Sequence, residues 1–128
     1  MIRNDTDYAL RMVVDLAGRT PQSSTAAELS AGLGVPHGFA QKILRKLAAA
    51  GILKARLGRG GGFRLNRKPG RVSLMDVIVA IQGPPLLNRC MGKPGTCSRH
   101  PSCRINASLK PFQDKLEAFL CHTSLSDL

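Results

Sequence analysis

Apolar residues first recur at helical spacing between positions 7 and 18, where Leu10, Val13, Val14 and Ala17 share a face and Gly18 offers a stop. This predicts a short amphipathic helix. A second helix is expected from Thr25, with Glu28 three residues on as its capping-box partner, and it stops near Gly32–Leu33–Gly34. A third begins at Val35–Pro36, because the first turn of a helix does not use the N–H that proline lacks. Ala40, Ile43, Leu44 and Leu47 form its buried stripe. His37, Gly38, Gln41, Lys42 and Arg45 fall on the opposite side.

After Gly51 the pattern changes. Residues 52–56 and 63–67 are expected to be strands of a β-hairpin turning through Gly58–Arg59–Gly60–Gly61–Gly62. Ser73 caps a fourth helix, with Asp76 at the box position and Leu74, Val77, Ile78 and Ile81 as its stripe, and Gly83–Pro84–Pro85 ends it. Beyond a loop, Ile105, Leu109, Phe112, Leu116 and Phe119 recur at alternating steps of four and three, a heptad-like seam. Pro111 suggests that this helix is well formed only from about Ser108, with the proline in its first turn. Cys121 is expected to pack in its last turn as a small buried hydrophobe.

The predicted fold class is mainly α with a small β-hairpin. Residues 1–85 form a winged helix-turn-helix DNA-binding domain, 86–104 a cysteine-containing loop, and 105–128 a dimerisation helix and tail. A winged-helix core of roughly seventy residues has little surface left to cover a further apolar seam. Leu109, Phe112, Leu116 and Phe119 are therefore expected to meet the same helix of a second copy, with packing on the first helix as the alternative.

At 128 residues the chain is expected to be one ordinary domain, or a small domain plus an appendage. No apolar run is long enough to span a bilayer and the N-terminus is polar and charged, so no membrane partner and a cytoplasmic location are expected. The net charge of +11 calls for a polyanionic partner, or else serves solubility as a solvated basic face, and it is concentrated at the front: residues 1–70 hold 12 Lys and Arg against 4 acids. A helix-turn-helix whose second helix has a polar, basic outer face suits the major groove of double-stranded DNA, contacted by His37, Gln41, Lys42 and Arg45. Arg56 and Arg59 of the hairpin suit phosphate or a narrow minor groove. The glycine-rich turn is no nucleotide cradle, since no helix follows it and no Lys-Ser/Thr pair completes a P-loop. With no positioned nucleophile–base pair either, an enzyme is disfavoured.

Cys90, Cys97 and Cys103 lie within fourteen residues, at gaps wider than the two to four of zinc fingers and ribbons. Three thiols from one loop suit an iron–sulfur cluster, with Arg89, Lys93, Arg99 and Arg104 offsetting its charge. Zinc and unmetallated thiols stay open on spacing alone. Such a zinc-stabilised or metal-free winged-helix adaptor would bind a protein partner through its long helix. His100, Cys121, His122 and Asp7 are candidates for a fourth ligand.

Together, Thr6-Asp7-Tyr8-Ala9-Leu10-Arg11, the wing Gly60-Gly61-Gly62-Phe63-Arg64-Leu65, the cysteine triplet and the ending Thr123-Ser124-Leu125-Ser126-Asp127-Leu128 resemble one family over essentially the whole chain. It is the Rrf-two type of bacterial winged-helix transcription regulators, the group that includes IscR, NsrR and RirA. The resemblance implies a homodimeric transcription factor, commonly a repressor, with a 2Fe–2S or 4Fe–4S cluster on Cys90, Cys97 and Cys103 whose state alters operator affinity in response to iron, redox state or nitric oxide. It also implies Asp7, given by the other subunit, as fourth ligand. Where IscR-like members carry a histidine, three residues after the last cysteine, this chain has Asn106; His100 stays open. At the family's usual wing arginine it has Leu57, flanked by Arg56 and Arg59.

Overall fold

A computed structural model describes residues 1–92 and 102–128. Helix α1 (Asn4–Arg19) begins earlier than the apolar pattern predicts, with Asp5 and Asp7 in its first turn, where negative charge complements the unpaired N–H groups. Its buried face is Thr6, Ala9, Met12, Val13 and Leu16. That face is rotated from the predicted one and leaves Val14 39% exposed. Small Thr6 and Ala9 permit close packing on neighbouring helices, a preference that a count of large aliphatics does not register.

Helix α2 (Ala26–Leu33) is capped by Thr25, whose Oγ1 accepts from the Glu28 N–H at 3.1 Å; only this half of the expected box is made. Gly34 ends it in the left-handed conformation, φ +66°. Val35 is buried in the turn, and helix α3 (His37–Ala49) follows with Pro36 just outside its first turn. Ala40, Ile43, Leu44 and Leu47 are buried, as the stripe predicts.

Strands β1 (Leu53–Arg56) and β2 (Gly62–Leu65) pair antiparallel, with Leu53 opposite Leu65 and Arg56 opposite Gly62. Leu53 and Leu65 anchor the hairpin in the core. Its turn end is tied to the link before α2: the Ser24 N–H donates to the Phe63 carbonyl at 2.9 Å, and the Phe63 N–H to the Ser24 carbonyl at 2.8 Å. Gly62 makes this approach possible. Its φ is +138°, and a Cβ there would lie 2.6 Å from the Ser24 carbonyl oxygen. Gly62→Ala is therefore expected to cost about 1–3 kcal/mol of stability. A thermal melt checks this, and an unchanged midpoint would mean that the Ser24–Phe63 pairing contributes little.

Helix α4 (Leu74–Gln82) carries the complete Ser73–Asp76 capping box, with bonds of 2.9 and 3.0 Å. The chain end returns to its start, where the Leu74 N–H donates to the Thr123 carbonyl and the Leu125 N–H to the Val72 carbonyl, each at 2.9 Å. Helix α5 (Arg104–His122) packs against α4 and against the 3-10 turn Arg89–Met91. It starts four residues before the expected point and runs through Pro111. The carbonyl that the proline leaves without a donor belongs to exposed Ala107, where water can replace it. Cys121 is exposed rather than buried. It follows Leu120 directly, and the helical period turns it about 100° away from the face that carries Gln113 and Leu120 inward.

Candidate functional site

His37, Gln41, Lys42 and Arg45 of α3 are all exposed, as is Lys46; Gln41, Lys42 and Arg45 lie away from the buried stripe, whereas His37 falls on the same side as Leu44, two turns on, and is exposed because it opens the helix. On the hairpin Arg56 and Arg59 are exposed. Sequence reasoning missed Lys54 and Arg64, which face each other across the ladder and share the outward face with Arg56. Strand alternation was the available signal, since Lys54 and Arg56 are two residues apart. Like charges directly opposite in a sheet destabilise it, and an anion lying over the strands relieves this.

Between Glu28 and Asp76 the chain carries ten Lys and Arg and no acid. The other acids are engaged elsewhere. Asp7 pairs with Arg11 and Asp15 with Arg19, each at 2.9 Å, and Asp114 pairs with Lys110 at 2.6 Å. Asp5 pairs with Arg3, whose hydrogen bond holds the carboxyl below its ordinary range. Among the described residues no ion pair involves a cation of α3 or of the hairpin. The surface can thus neutralise several phosphates without first breaking an internal pair.

Cys90 lies in the turn Arg89–Met91 and Cys103 immediately precedes α5; both are half-buried free thiols. Cys97 and His100, with Lys93 and Arg99, lie outside the described residues. Asn106, in the first turn of α5, donates from Nδ2 to Cys90 Sγ at 3.2 Å, linking the two cysteine-bearing segments. Cys103 makes no side-chain capping bond. A hydrogen-bond donor already aimed at one sulfur, and a second sulfur that makes no capping bond, fit a centre held by thiolates. Among the described residues no three His, Cys, Asp or Glu side chains come together, so Asp7 does not join Cys90 and Cys103 within one chain. Asp7 is on α1, about half exposed. Cys121 and His122 lie at the far end of α5.

The seam of α5 is open. Ile105, Phe112 and Phe119 are 59%, 60% and 63% exposed, while Leu109 and Leu116 are half-buried. The adjoining face, beyond Leu109 and Leu116, carries fully buried Gln113, which the sequence reading missed because a polar residue on an apolar face has no periodic signal. Its Nε2 donates to the Pro85 carbonyl and to Glu117 Oε1, and its Oε1 accepts from the Leu87 N–H, each at 2.9 Å. Gln113 thereby clamps the segment leading to Cys90 onto α5. Gln113→Leu leaves the Leu87 N–H and the Pro85 carbonyl without these partners and is expected to destabilise the fold by about 1–3 kcal/mol. Denaturant unfolding measures it; a loss under about 0.5 kcal/mol would show that water replaces the clamp.

No helix among the described residues is long and apolar enough to cross a membrane. A family model described as "Iron-dependent Transcriptional regulator" (Rrf2) matches residues 2–128. The HTH-type transcriptional repressor NsrR of Streptomyces coelicolor is 32% identical over 127 residues, covering 96% of this chain and 84% of that protein. The HTH-type transcriptional regulator IscR of Xenorhabdus nematophila is 27% identical over 122 residues, covering 94% and 74%. The solved structure of CymR, the global cysteine regulator of B. subtilis, superposes with a TM-score of 0.80 at 18% identity, covering 99% of this chain and 94% of that one. At that identity the likeness concerns the fold, a winged helix with five helices and a two-stranded sheet among the described residues.

Proposed function

Because this chain belongs to the Rrf2 family, and so is a DNA-binding transcription regulator and not an enzyme, we propose that it is a cytoplasmic homodimeric repressor whose operator affinity depends on an iron–sulfur cluster. The observation that carries its DNA side is the acid-free run from α3 through the hairpin, exposed and without internal ion pairs. Residues 1–85 bind the operator. His37, Gln41, Lys42 and Arg45 face the major groove from α3, while Arg56 and Arg59, joined by Lys54 and Arg64, hold the wing on the backbone or in the minor groove. Replacing Gln41 by Ala is expected to relax sequence preference by about 1–3 kcal/mol at one base pair, with a smaller loss on random DNA. Equal losses on both would mean that Gln41 reads no base.

Residues 86–104 form the sensor, with Cys90, Cys97 and Cys103 as ligands to a 2Fe–2S or 4Fe–4S cluster. When bound, the cluster supplies a centre reactive to redox change and to small ligands such as nitric oxide. The chain's own residues do the rest. Asn106 holds Cys90 against the first turn of α5. Gln113 ties the preceding segment to the same helix, so the placement of Cys90 is felt along the helix that pairs the two copies. Asp7 of the second copy is the proposed fourth ligand, in keeping with its exposure and its separation from the sulfurs of its own chain; His100 is the alternative. The seam Leu109, Phe112, Leu116 and Phe119 forms the contact between copies within residues 105–128. The test is iron and sulfide content with an absorption spectrum of anaerobically purified protein. A brown, iron-containing protein is expected; a colourless, zinc-containing one would overturn the sensor.

A further inference from the structure

Phe39 is 53% exposed in the first turn of α3, among the cationic and polar groups of that face. Its ring leans on Tyr8 of α1, with centroids 6.2 Å apart and planes inclined at 58°, which fixes the direction in which the free face points. Gly38 beside it bears no side chain, and the space where a Cβ would stand is empty. Lys42 and Lys46 lie one and two turns further along the same side, both exposed. A single ring ringed by positive charge is a poor seat for an apolar protein surface. Its partner must be a polyanion with an apolar projection at the depth a helix N-terminus reaches. In the major groove that projection is the C5 methyl group of thymine.

We infer that Phe39 reads a thymine, packing its exposed face on the C5 methyl group while Lys42 and Lys46 hold the adjoining backbone. This rests on α3 being the helix that enters the major groove, and it adds an apolar contact to that helix's polar ones. Tyr8 acts as a positioning residue, since its contact limits the ring's rotation.

The test starts from a duplex selected from a random-sequence pool by the wild-type protein. Each thymidine of one half-site is then replaced in turn by 2′-deoxyuridine, which removes only the methyl group. Wild-type protein is expected to lose about fourfold in affinity at one position, the size of one buried methyl group. Phe39→Ala is expected to bind the thymine duplex about that much more weakly, to show no uracil penalty at that position, and to keep the wild-type salt dependence; Phe39→Leu should retain part of the penalty. A wild-type protein indifferent to every uracil, a selected site without thymine opposite α3, or a Phe39→Ala protein with the full penalty would each overturn the inference while leaving α3 as the reading helix. Failure to select any duplex would overturn that reading as well.

Discussion

A chain carrying Phe112→Glu together with Phe119→Glu is expected to sediment as a monomer at about micromolar concentration and to bind its operator at least about a hundredfold more weakly than the parent. Both rings are more than half exposed in the single chain, and they share the α5 seam with half-buried Leu109 and Leu116. In the proposed pairing of two copies these rings would stand in an apolar interface, where an unpaired carboxylate loses its hydration without compensation. The fold of each chain should survive, because the adjoining face of α5 is held in its own chain by Gln113 and Leu120. The monomer should therefore keep the parent's helical circular dichroism. It loses DNA affinity because two half-sites held by one dimer reinforce each other, whereas separate chains must bind each alone. Analytical ultracentrifugation and an operator titration check the two halves of the statement. A variant that remains dimeric would place the contact between copies elsewhere.

The second large effect lies at Cys103. Cys103→Ala is expected to remove nearly all the iron and visible absorption of anaerobically purified protein, and to move operator affinity by about a hundredfold, equivalent to about 2.7 kcal/mol of coupling. The substitution should leave the fold almost unchanged, since the thiol makes no capping bond at the start of α5 and is only half-buried. That separates loss of a ligand from loss of structure: the variant should melt as the iron-free parent does. Full absorbance from the variant would take Cys103 out of the ligand set.

Much of this architecture is legible in the residue order, and the reasons are local. Ser73 and Asp76 stand at the spacing of a reciprocal cap, and that cap forms whole. The α3 stripe is apolar on one side and cationic on the other, so its burial follows from helical period alone. The hairpin's glycines stand where the backbone needs left-handed torsions or a close approach, as at Gly62 against Ser24. What escaped depends on partners distant in sequence. The inward side of α1 is set by the helices packed on it, which prefer Thr6 and Ala9 to Val14. Gln113 is buried because Pro85 and Leu87 bring backbone groups to it, 28 and 26 residues away. Asn106 as a bond to Cys90 emerges only once α5 starts at Arg104 and runs through Pro111. Pairing sets Lys54 against Arg64, although alternation alone would have turned Lys54 outward with Arg56.

The proposed coupling of cluster to operator is one equilibrium, and a single titration addresses it. A labelled operator is titrated, under nitrogen, with protein whose iron has been assayed, and then with the same preparation after the iron has been chelated away. Two curves displaced by about a hundredfold are expected, with the displacement abolished in Cys103→Ala. Superimposed curves from loaded and stripped protein would contradict that coupling.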